Sequence, residues 1–228
     1  MTRVPSDCAA RRTSTGDSAG PARRDTRERI LDAAVRLFGE RGYAATSLRA
    51  VTEAAGANIA AVNYHFGSKE GLLRAVVSRA MAPVNTEREQ RLDRLLADGG
   101  RPRARDVVRI FTETGASLTS GHEGQGEVAR FLGRVMFEPE PAVRRVFADE
   151  VSPVEGRCLT ALGAALPALA PDEVAFRYRT LVGLLALHQT GALDDLSSPA
   201  AKEPATAAER ATAVERLVTM ATALFDAP

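Results

Sequence analysis

The apolar residues of this chain recur mostly at every third or fourth position, which is the spacing of amphipathic α-helices. The first such segment spans Thr26–Arg41, where Asp25 is a good N-cap and Glu28 follows it by three residues. Gly42 ends this helix. One face of it carries Ile30, Ala34, Leu37 and Phe38. The pattern therefore predicts a first helix that buries one face.

Cap residues and glycines then follow each other closely, at Ser47, Gly56, Asn58, Gly67 and Ser68. Ser and Asn accept hydrogen bonds from the first free N–H groups of a helix, and glycine ends helices or permits tight turns. These signals predict two short helices, the second of them from Ile59 to about His65, and the start of a fourth helix. The inward positions of the two short helices are Leu48, Val51, Ala55, Ile59 and Val62.

Longer helices are predicted from Lys69 onward. We expect Pro83 to kink or end the fourth helix, and Pro153 to kink a later one, because proline cannot donate the helical hydrogen bond. The segment from Asp172 to about Ala192 is apolar on two faces, which is typical of a helix buried on two sides. Further apolar stripes lie within 107–118, 128–136, 143–162 and 207–225. No strand pattern is present, so the predicted fold class is all-α with about nine helices.

Composition agrees with a helical globular protein. The chain has 228 residues, of which 45% are hydrophobic and only 5% aromatic, so Ala, Leu and Val must form most of the core. Residues 1–80 hold 13 Lys and Arg against 8 Asp and Glu, whereas residues 81–228 hold 17 against 21. A basic front suggests contact with a polyanion. Residues 1–24 lack hydrophobic periodicity and are predicted to be a disordered basic tail, either solvated or contacting phosphates.

The sequence offers little material for catalysis. The motifs GxSxG and HExxH and a phosphate loop are all missing, so we expect neither an enzyme nor a cofactor. Cys8 and Cys158 are far apart and are expected to be reduced thiols, with a disulfide or a redox sensor as the alternative. No metal site is expected, because the histidines fall on separate elements: His65, His122 and His188. Without a signal peptide or a long apolar run, the protein is expected to be cytoplasmic and not membrane-bound.

The span from Ser47 to Phe66 has the anatomy of a helix-turn-helix. Two short helices cross over a tight turn at Gly56, and the outer face of the second is free to enter a major groove. The side chains on that face are small or polar, namely Ala60, Ala61, Asn63 and Tyr64. Small side chains permit close approach to base edges, so this helix is the predicted DNA-reading element.

Here the chain resembles the TetR family of transcriptional regulators. Its first helix ends Phe38-Gly-Glu-Arg-Gly-Tyr-Ala-Ala-Thr46-Ser47, and the later segment reads Asn63-Tyr-His-Phe-Gly-Ser-Lys-Glu-Gly-Leu72. Both follow the family's motif with its spacing intact, over about residues 25–77. Thr52 and Ala57 depart from the usual residues, Ala and a larger aliphatic, and both changes are expected to alter the angle between the two short helices only slightly.

The resemblance implies roles for individual residues. Thr46, Ser47 and Arg49 resemble phosphate contacts, and Lys69 resembles a further one at the start of the fourth helix. The positions that correspond to base contacts are Asn58, Ala60, Ala61 and Asn63. Tyr64 and His65 correspond to backbone contacts, with packing against the first helix as the alternative. Phe66 is expected to be a core residue.

The resemblance also implies a domain plan and a homodimer. Residues 25–70 would form the helix-turn-helix DNA-binding domain, and residues 71–228 a larger helical ligand-binding and dimerisation domain. Two copies on a two-fold axis would bind a palindromic double-stranded DNA operator. The last two helices resemble the family's dimer-forming pair. A monomeric bundle, and a helical ligand-binding or scaffolding protein without specific DNA binding, are the alternatives. So is a nucleic-acid binder that responds to no ligand.

Three segments resemble one branch of this family, which responds to fatty acids or acyl-CoA: Met81-Ala-Pro-Val-Asn-Thr-Glu-Arg88, Asn58-Ile-Ala-Ala-Val-Asn63 and Phe131-Leu-Gly-Arg-Val135. The resemblance implies a small hydrophobic effector. The predicted apolar pocket residues are Phe111, Leu118, Phe131, Val135, Met136, Phe147, Leu181 and Leu185, and core packing is the alternative for each. Candidates to orient a polar headgroup are Arg134, Tyr178, His188 and Gln189. The effector would displace the fourth helix, change the separation of the two DNA-reading helices and release the operator, as expected of a repressor.

Overall fold

The computed structural model describes residues 21–117, 125–190 and 206–226, and these residues form nine helices and no strand. Their all-α architecture confirms the predicted fold class. In chain order the helices are α1 (Pro21–Arg41), α2 (Leu48–Ala54), α3 (Ile59–Phe66), α4 (Lys69–Leu96), α5 (Ala104–Ala116), α6 (Gln125–Phe137), α7 (Pro141–Ala165), α8 (Pro171–Thr190) and α9 (Ala207–Asp226).

The N-terminal helices begin where their cap residues predict. The Ser47 hydroxyl accepts a hydrogen bond from the Ala50 N–H at 3.1 Å, and the Asn58 Oδ1 accepts one from the Ala61 N–H at 2.8 Å. Ser68 does the same for Gly71 at the start of α4, at 3.0 Å. Each bond satisfies an N–H group that has no partner inside its own helix, so the three starts are set locally.

The first helix is longer than predicted. It begins at Pro21 rather than Thr26, so residues 21–24 are helical and do not belong to a tail. Proline is well suited to the first position of a helix, because its fixed φ angle is already helical and its missing N–H would have no partner there. Residues 1–20 lie outside the described part of the chain.

Neither internal proline ends its helix. Pro83 lies within the 28-residue α4, and Pro153 within the 25-residue α7. Both prolines are exposed, so water can reach the carbonyl group that each leaves without a helical partner. The prediction that Pro83 could end the fourth helix is wrong, because α4 continues to Leu96. Ion pairs to α7 hold it on both sides of the proline, from Arg74 to Asp149 before it and from Asp93 to Arg157 after it.

Two groups of buried side chains form the core. The first joins α1–α4 to α6 and the start of α7, and it includes Phe38, Val62, Leu72, Phe131 and Val143. The second joins the end of α4 to α5, α7, α8 and α9, and it includes Leu92, Phe111, Cys158, Leu181 and Phe225. The N-terminal helices therefore share a core with α6 and α7, which come much later in the sequence.

None of the nine helices is both long and apolar enough to cross a membrane. Within the same described ranges, no group of three or more His, Cys, Asp and Glu side chains is arranged to hold a metal ion.

Candidate DNA-binding surface and ligand cavity

Helix α1 holds the turn between α2 and α3 in place. Gly56 has a φ angle of +57°, which L side chains rarely adopt, and this conformation permits the tight turn. The Arg29 guanidinium of α1 donates to the carbonyl oxygens of Ala55 at 2.9 Å and of Gly56 at 3.4 Å. Val51 and Val62 are fully buried on the facing sides of the two short helices. The unit is thus fixed to the core as a rigid body.

The outer face of α3 is exposed to solvent. Ala60, Asn63 and Tyr64 are exposed, and their spacing of three and four residues places them on the face opposite Val62. Tyr64 is 64% exposed. Ile59 was predicted to point inward, but it is 47% exposed, because it is the first residue of α3 and no preceding turn covers it. The exposed face therefore carries small and polar side chains with one apolar residue at its start.

Thr46 does not reach the surface. It is only 1% exposed, and its hydroxyl donates to the carbonyl oxygens of Leu37 at 3.1 Å and of Gly42 at 2.8 Å. The hydroxyl therefore fixes the segment between α1 and α2, and the predicted phosphate contact of this side chain is corrected. The neighbouring Ser47 and Arg49 are both exposed, at the start of α2.

Lys69 is committed to a contact with the segment before α2. Its ammonium group donates to the Tyr43 carbonyl oxygen at 2.6 Å and lies 4.2 Å from the centroid of the Tyr43 ring. Partial burial lowers the pKa of Lys69, against the opposing effect of the Glu138 carboxylate. An ammonium group has three N–H donors. Two of them remain for a phosphate, so Lys69 holds the start of α4 in place and still presents charge.

His65 and Phe66 sit below the outer face at the end of α3. His65 is half-buried between two rings, with centroid distances of 5.0 Å to Tyr64 and 6.0 Å to Phe66. Phe66 is partly buried and packs against the first core, with the Arg27 guanidinium 5.6 Å from its ring centroid. Asn58 and Ala61 complete the predicted set: Asn58 is exposed at the start of α3, and Ala61 is half-buried.

A cavity of about 370 Å³ lies between the two cores, within the usual range for small-molecule sites. Its wall comes from α4, α5, α6, α7 and α8. Five of the predicted pocket residues line it: Phe111, Val135, Phe147, Tyr178 and Leu185. Gln189 of α8 also lines it, and its amide donates to the Gly115 carbonyl oxygen at 2.9 Å.

Other predicted pocket residues lie elsewhere. Phe131 packs into the first core against Phe38, with ring centroids 6.3 Å apart, and Leu181 is fully buried in the second core. Arg134 donates to the Glu40 carbonyl oxygen of α1 at 3.2 Å and does not line the cavity. His188 is half-buried but does not line the cavity. Leu118 and the side chain of Met136 lie outside the described residues.

Several polar residues of the cavity wall were not predicted from the sequence. The most important of them is Arg88 of α4. Arg144, Glu155 and Arg179 also line the cavity, so three cationic side chains and one carboxylate contribute to its wall. A signal for Arg88 was available, because it lies four residues from both Val84 and Leu92 on an otherwise apolar stripe. Arginine is rarely buried without partners, so an arginine on the buried face of a helix indicates that polar groups surround its guanidinium.

Arg88 is 5% exposed, and its guanidinium lies against α5. Nε donates to the Thr114 hydroxyl at 2.9 Å, and Nη2 donates to the Phe111 carbonyl oxygen at 3.3 Å. The guanidinium carbon is 4.1 Å from the Phe111 ring centroid. Burial lowers the pKa of Arg88, because desolvation disfavours the charged form. Gly115 permits this packing, since a Cβ there would lie 2.3 Å from Leu185 and 3.2 Å from Arg88.

Helix α6 connects the cavity to the N-terminal helices. Leu132 and Val135 line the cavity and also belong to the first core. On its other side α6 packs closely against α1, where a Cβ at Gly39 would lie 3.5 Å from backbone atoms of Glu127 and Phe131. A shift of α6 would therefore displace α1, and α1 holds the turn of the helix-turn-helix.

Comparison with protein families gives two matches on this chain. Residues 30–76 match the family described as bacterial regulatory proteins of the tetR family, and residues 109–223 match the tetracyclin repressor-like C-terminal domain. The second match covers half of the chain and includes most of the cavity wall.

Among curated proteins, the transcriptional repressor KstR of Rhodococcus jostii is 28% identical over 164 residues, 63% of this chain and 77% of that protein. The regulatory protein RaaS of Mycobacterium tuberculosis is 53% identical over 47 residues, 21% of this chain and 22% of its own length. For several such relatives the chain spans only about a quarter of their length.

Solved structures share the fold at low identity. The fatty acid degradation regulator FadR of Bacillus halodurans has a TM-score of 0.61 and 14% identity, over 90% of this chain and 96% of that one. FadR of Bacillus subtilis, solved in complex with stearoyl-CoA, has a TM-score of 0.56 and 15% identity, over 85% and 96%.

Proposed function

This chain belongs to the TetR family of transcriptional regulators, and we propose that it acts as a homodimeric repressor that releases a palindromic operator when an apolar effector fills its cavity. The observation that carries the proposal is the exposed face of α3, which is held rigidly over a core that extends to the cavity wall. A rigid reading helix and a cavity joined by packed side chains are the two parts that a one-component regulator requires.

In this proposal α3 enters the major groove. Ala60, Ala61 and Asn63 face base edges, where small side chains permit close approach and the Asn63 amide can both donate and accept. Asn58 caps α3 and keeps its NH2 group for a base or a phosphate. The exposed residues Ser47, Arg49 and Tyr64, together with His65 and Lys69, contact the DNA backbone. Thr46 is a positioning residue rather than a contact.

Helices α8 and α9 form the dimer interface in this proposal. Both bury one face in the second core, and both leave a large apolar side chain in solvent: Phe176 is 63% exposed and Met220 is 60% exposed. Exposed apolar residues on the two helices that the family uses for dimerisation support a second copy as their partner. The substitution Met220→Glu should produce monomers in sedimentation experiments, whereas Met220→Leu should leave dimers. A Met220→Glu protein that remains dimeric would contradict this interface.

The effector is proposed to be a fatty acid or an acyl-CoA. The apolar part of the cavity wall suits an acyl chain, and FadR of Bacillus subtilis, which shares the fold, binds stearoyl-CoA. The effector would act through α4 and α6, because both line the cavity and pack against α1. Reversing a 99:1 preference between two states takes about 5.5 kcal/mol of differential binding, which a buried acyl chain can supply.

The proposal can be tested by titrating labelled DNA from upstream of the protein's own gene and following anisotropy at several salt concentrations. We expect tight, salt-dependent binding that scrambled DNA of equal length lacks, and loss of this binding on addition of a long-chain acyl-CoA or fatty acid. The Asn63→Ala variant serves as a control for base recognition. Selective DNA binding that no fatty acid or acyl-CoA alters would overturn the proposed identity of the effector. If neither this fragment nor a genome-wide selection gives a preferred sequence, the DNA-binding function is overturned.

A further inference from the structure

The cavity wall contains a buried cation whose donors are only partly used. A guanidinium group has five N–H donors. The hydrogen bonds of Arg88 to Thr114 and Phe111 occupy two of them. No carboxylate of the described residues lies within ion-pair distance of this guanidinium. Glu155, on the same wall, makes no ion pair with it, and the Glu87 carboxylate pairs with Arg91. Three donors therefore remain for a group inside the cavity.

An unpaired charge at this depth is costly. Moving a charged group out of water destabilises a protein unless an opposite charge and hydrogen bonds compensate. The Phe111 ring, 4.1 Å from the guanidinium carbon, compensates only a part. A carboxylate is the complementary partner, because its two oxygens match the parallel N–H groups of a guanidinium.

The other polar residues of the cavity wall also favour a negatively charged ligand. Two further arginines, Arg144 and Arg179, line the cavity on its solvent-exposed side, against Glu155 as the one carboxylate of the wall. The Tyr178 hydroxyl offers another neutral donor, since burial raises its pKa and keeps the phenol protonated. The Tyr178 ring packs against the Phe111 ring, which also contacts Arg88, with centroids 5.2 Å apart. Apolar side chains such as Phe147, Val151 and Val182 form much of the rest of the wall.

We propose that the cavity selects an apolar acid with a free carboxylate, which pairs with the Arg88 guanidinium while the hydrocarbon part contacts the apolar wall. The inference rests on the proposed function, because it names the chemistry of the effector that the cavity takes. It also chooses between the two proposed effectors. An acyl thioester has no carboxylate at the end of its chain, whereas a free fatty acid has one.

The test measures ligand binding directly by calorimetry, without DNA. Wild-type protein is titrated with dodecanoate, dodecanol, methyl dodecanoate and dodecanoyl-CoA. We expect dodecanoate to bind at least about tenfold more tightly than the alcohol and the ester, as suits hydrogen bonds to a charged group. Equal affinity for the acid and the alcohol, or binding of dodecanoyl-CoA but not of dodecanoate, would overturn the inference.

Variants assign the preference to Arg88. Arg88→Met keeps an unbranched side chain that ends near the position of Nε and removes the guanidinium charge, so we expect the preference for the acid to fall to about twofold or less while alcohol binding persists. Arg94→Met removes an exposed charge from the same helix and should keep the wild-type preference. Preserved acid selectivity in Arg88→Met would overturn the role of this residue. If Arg88→Met does not fold, Arg88→Lys is used, which keeps the charge but not the paired donors and should lose most of the preference.

Parallel DNA titrations separate this inference from the proposed function. Acid-selective binding that leaves DNA affinity unchanged would support the carboxylate site and overturn the release mechanism. Operator release by dodecanoyl-CoA alone would support the regulator and overturn the carboxylate site.

Discussion

Replacing Thr46 by valine distinguishes a positioning role from a DNA contact. The single hydroxyl proton of Thr46 is shared between the carbonyl oxygens of Leu37 and Gly42, and the residue is almost fully buried. Valine keeps the shape but cannot donate. It leaves the buried Gly42 carbonyl without this partner, where no water can easily replace it.

The expected magnitude follows from that geometry. Loss of a buried hydrogen bond with one partner left behind destabilises a protein by about 1–3 kcal/mol. In a chain of this size each kcal/mol lowers the melting temperature by roughly 2–4 °C. Thr46→Ser is the matched control, because it keeps the hydroxyl and loses only a methyl group, about 0.8 kcal/mol. We therefore expect Thr46→Val to be the less stable of the two variants.

Thermal unfolding at one fixed protein concentration measures the stability, since a dimer's melting temperature depends on concentration. DNA affinity is then measured well below both melting temperatures, where Thr46→Val should bind nearly as well as wild type. If instead Thr46→Val is as stable as wild type but binds DNA about tenfold more weakly, a loss of about 1.4 kcal/mol, Thr46 contacts DNA and the structural argument fails.

Three further predictions concern the surface and the core. Asn63→Ala should weaken binding to the operator by about 1–3 kcal/mol and leave binding to scrambled DNA unaffected. Arg49→Ala should weaken binding to both DNAs and reduce the slope of log affinity against log salt concentration by about 1. Equal losses on both DNAs for Asn63→Ala would contradict base recognition. The hydrogen-bonded guanidinium of Arg109 lowers the pKa of Glu215 below its ordinary 4.5, so this ion pair stabilises the fold above pH 4.5 and the stabilisation is lost as the pH falls through the lowered pKa. Urea unfolding should therefore show wild type more stable than Glu215→Gln at neutral pH, with the gap closing in acid, and an unchanged gap would contradict the pairing. Burial raises the pKa of Cys158 to about 11, so this thiol should react with iodoacetamide at pH about 8 only after unfolding. Mass spectrometry maps the labelled site. Rapid labelling of the native protein would show that the second core opens readily.

The sequence by itself determined the starts of the short helices and their inner faces. Ser47, Asn58 and Ser68 each bond to an N–H group three residues away, and interactions of such short range depend little on the rest of the fold. Val51 and Val62 were predicted from spacing alone, since the period of a helix decides which side chains share a face. The match of the N-terminal motif to its family rests on these same local features.

The tertiary structure decided what each polar side chain does. Thr46 and Lys69 have sequence positions typical of DNA contacts, but the first is buried against α1 and the second is bonded to Tyr43, which lies 26 positions earlier. Arg88 became a candidate ligand-binding residue only because α5, α7 and α8 surround it with a cavity. Helical periodicity indicates that a side chain faces inward, but it does not indicate which helix it meets, because that depends on how distant segments pack together.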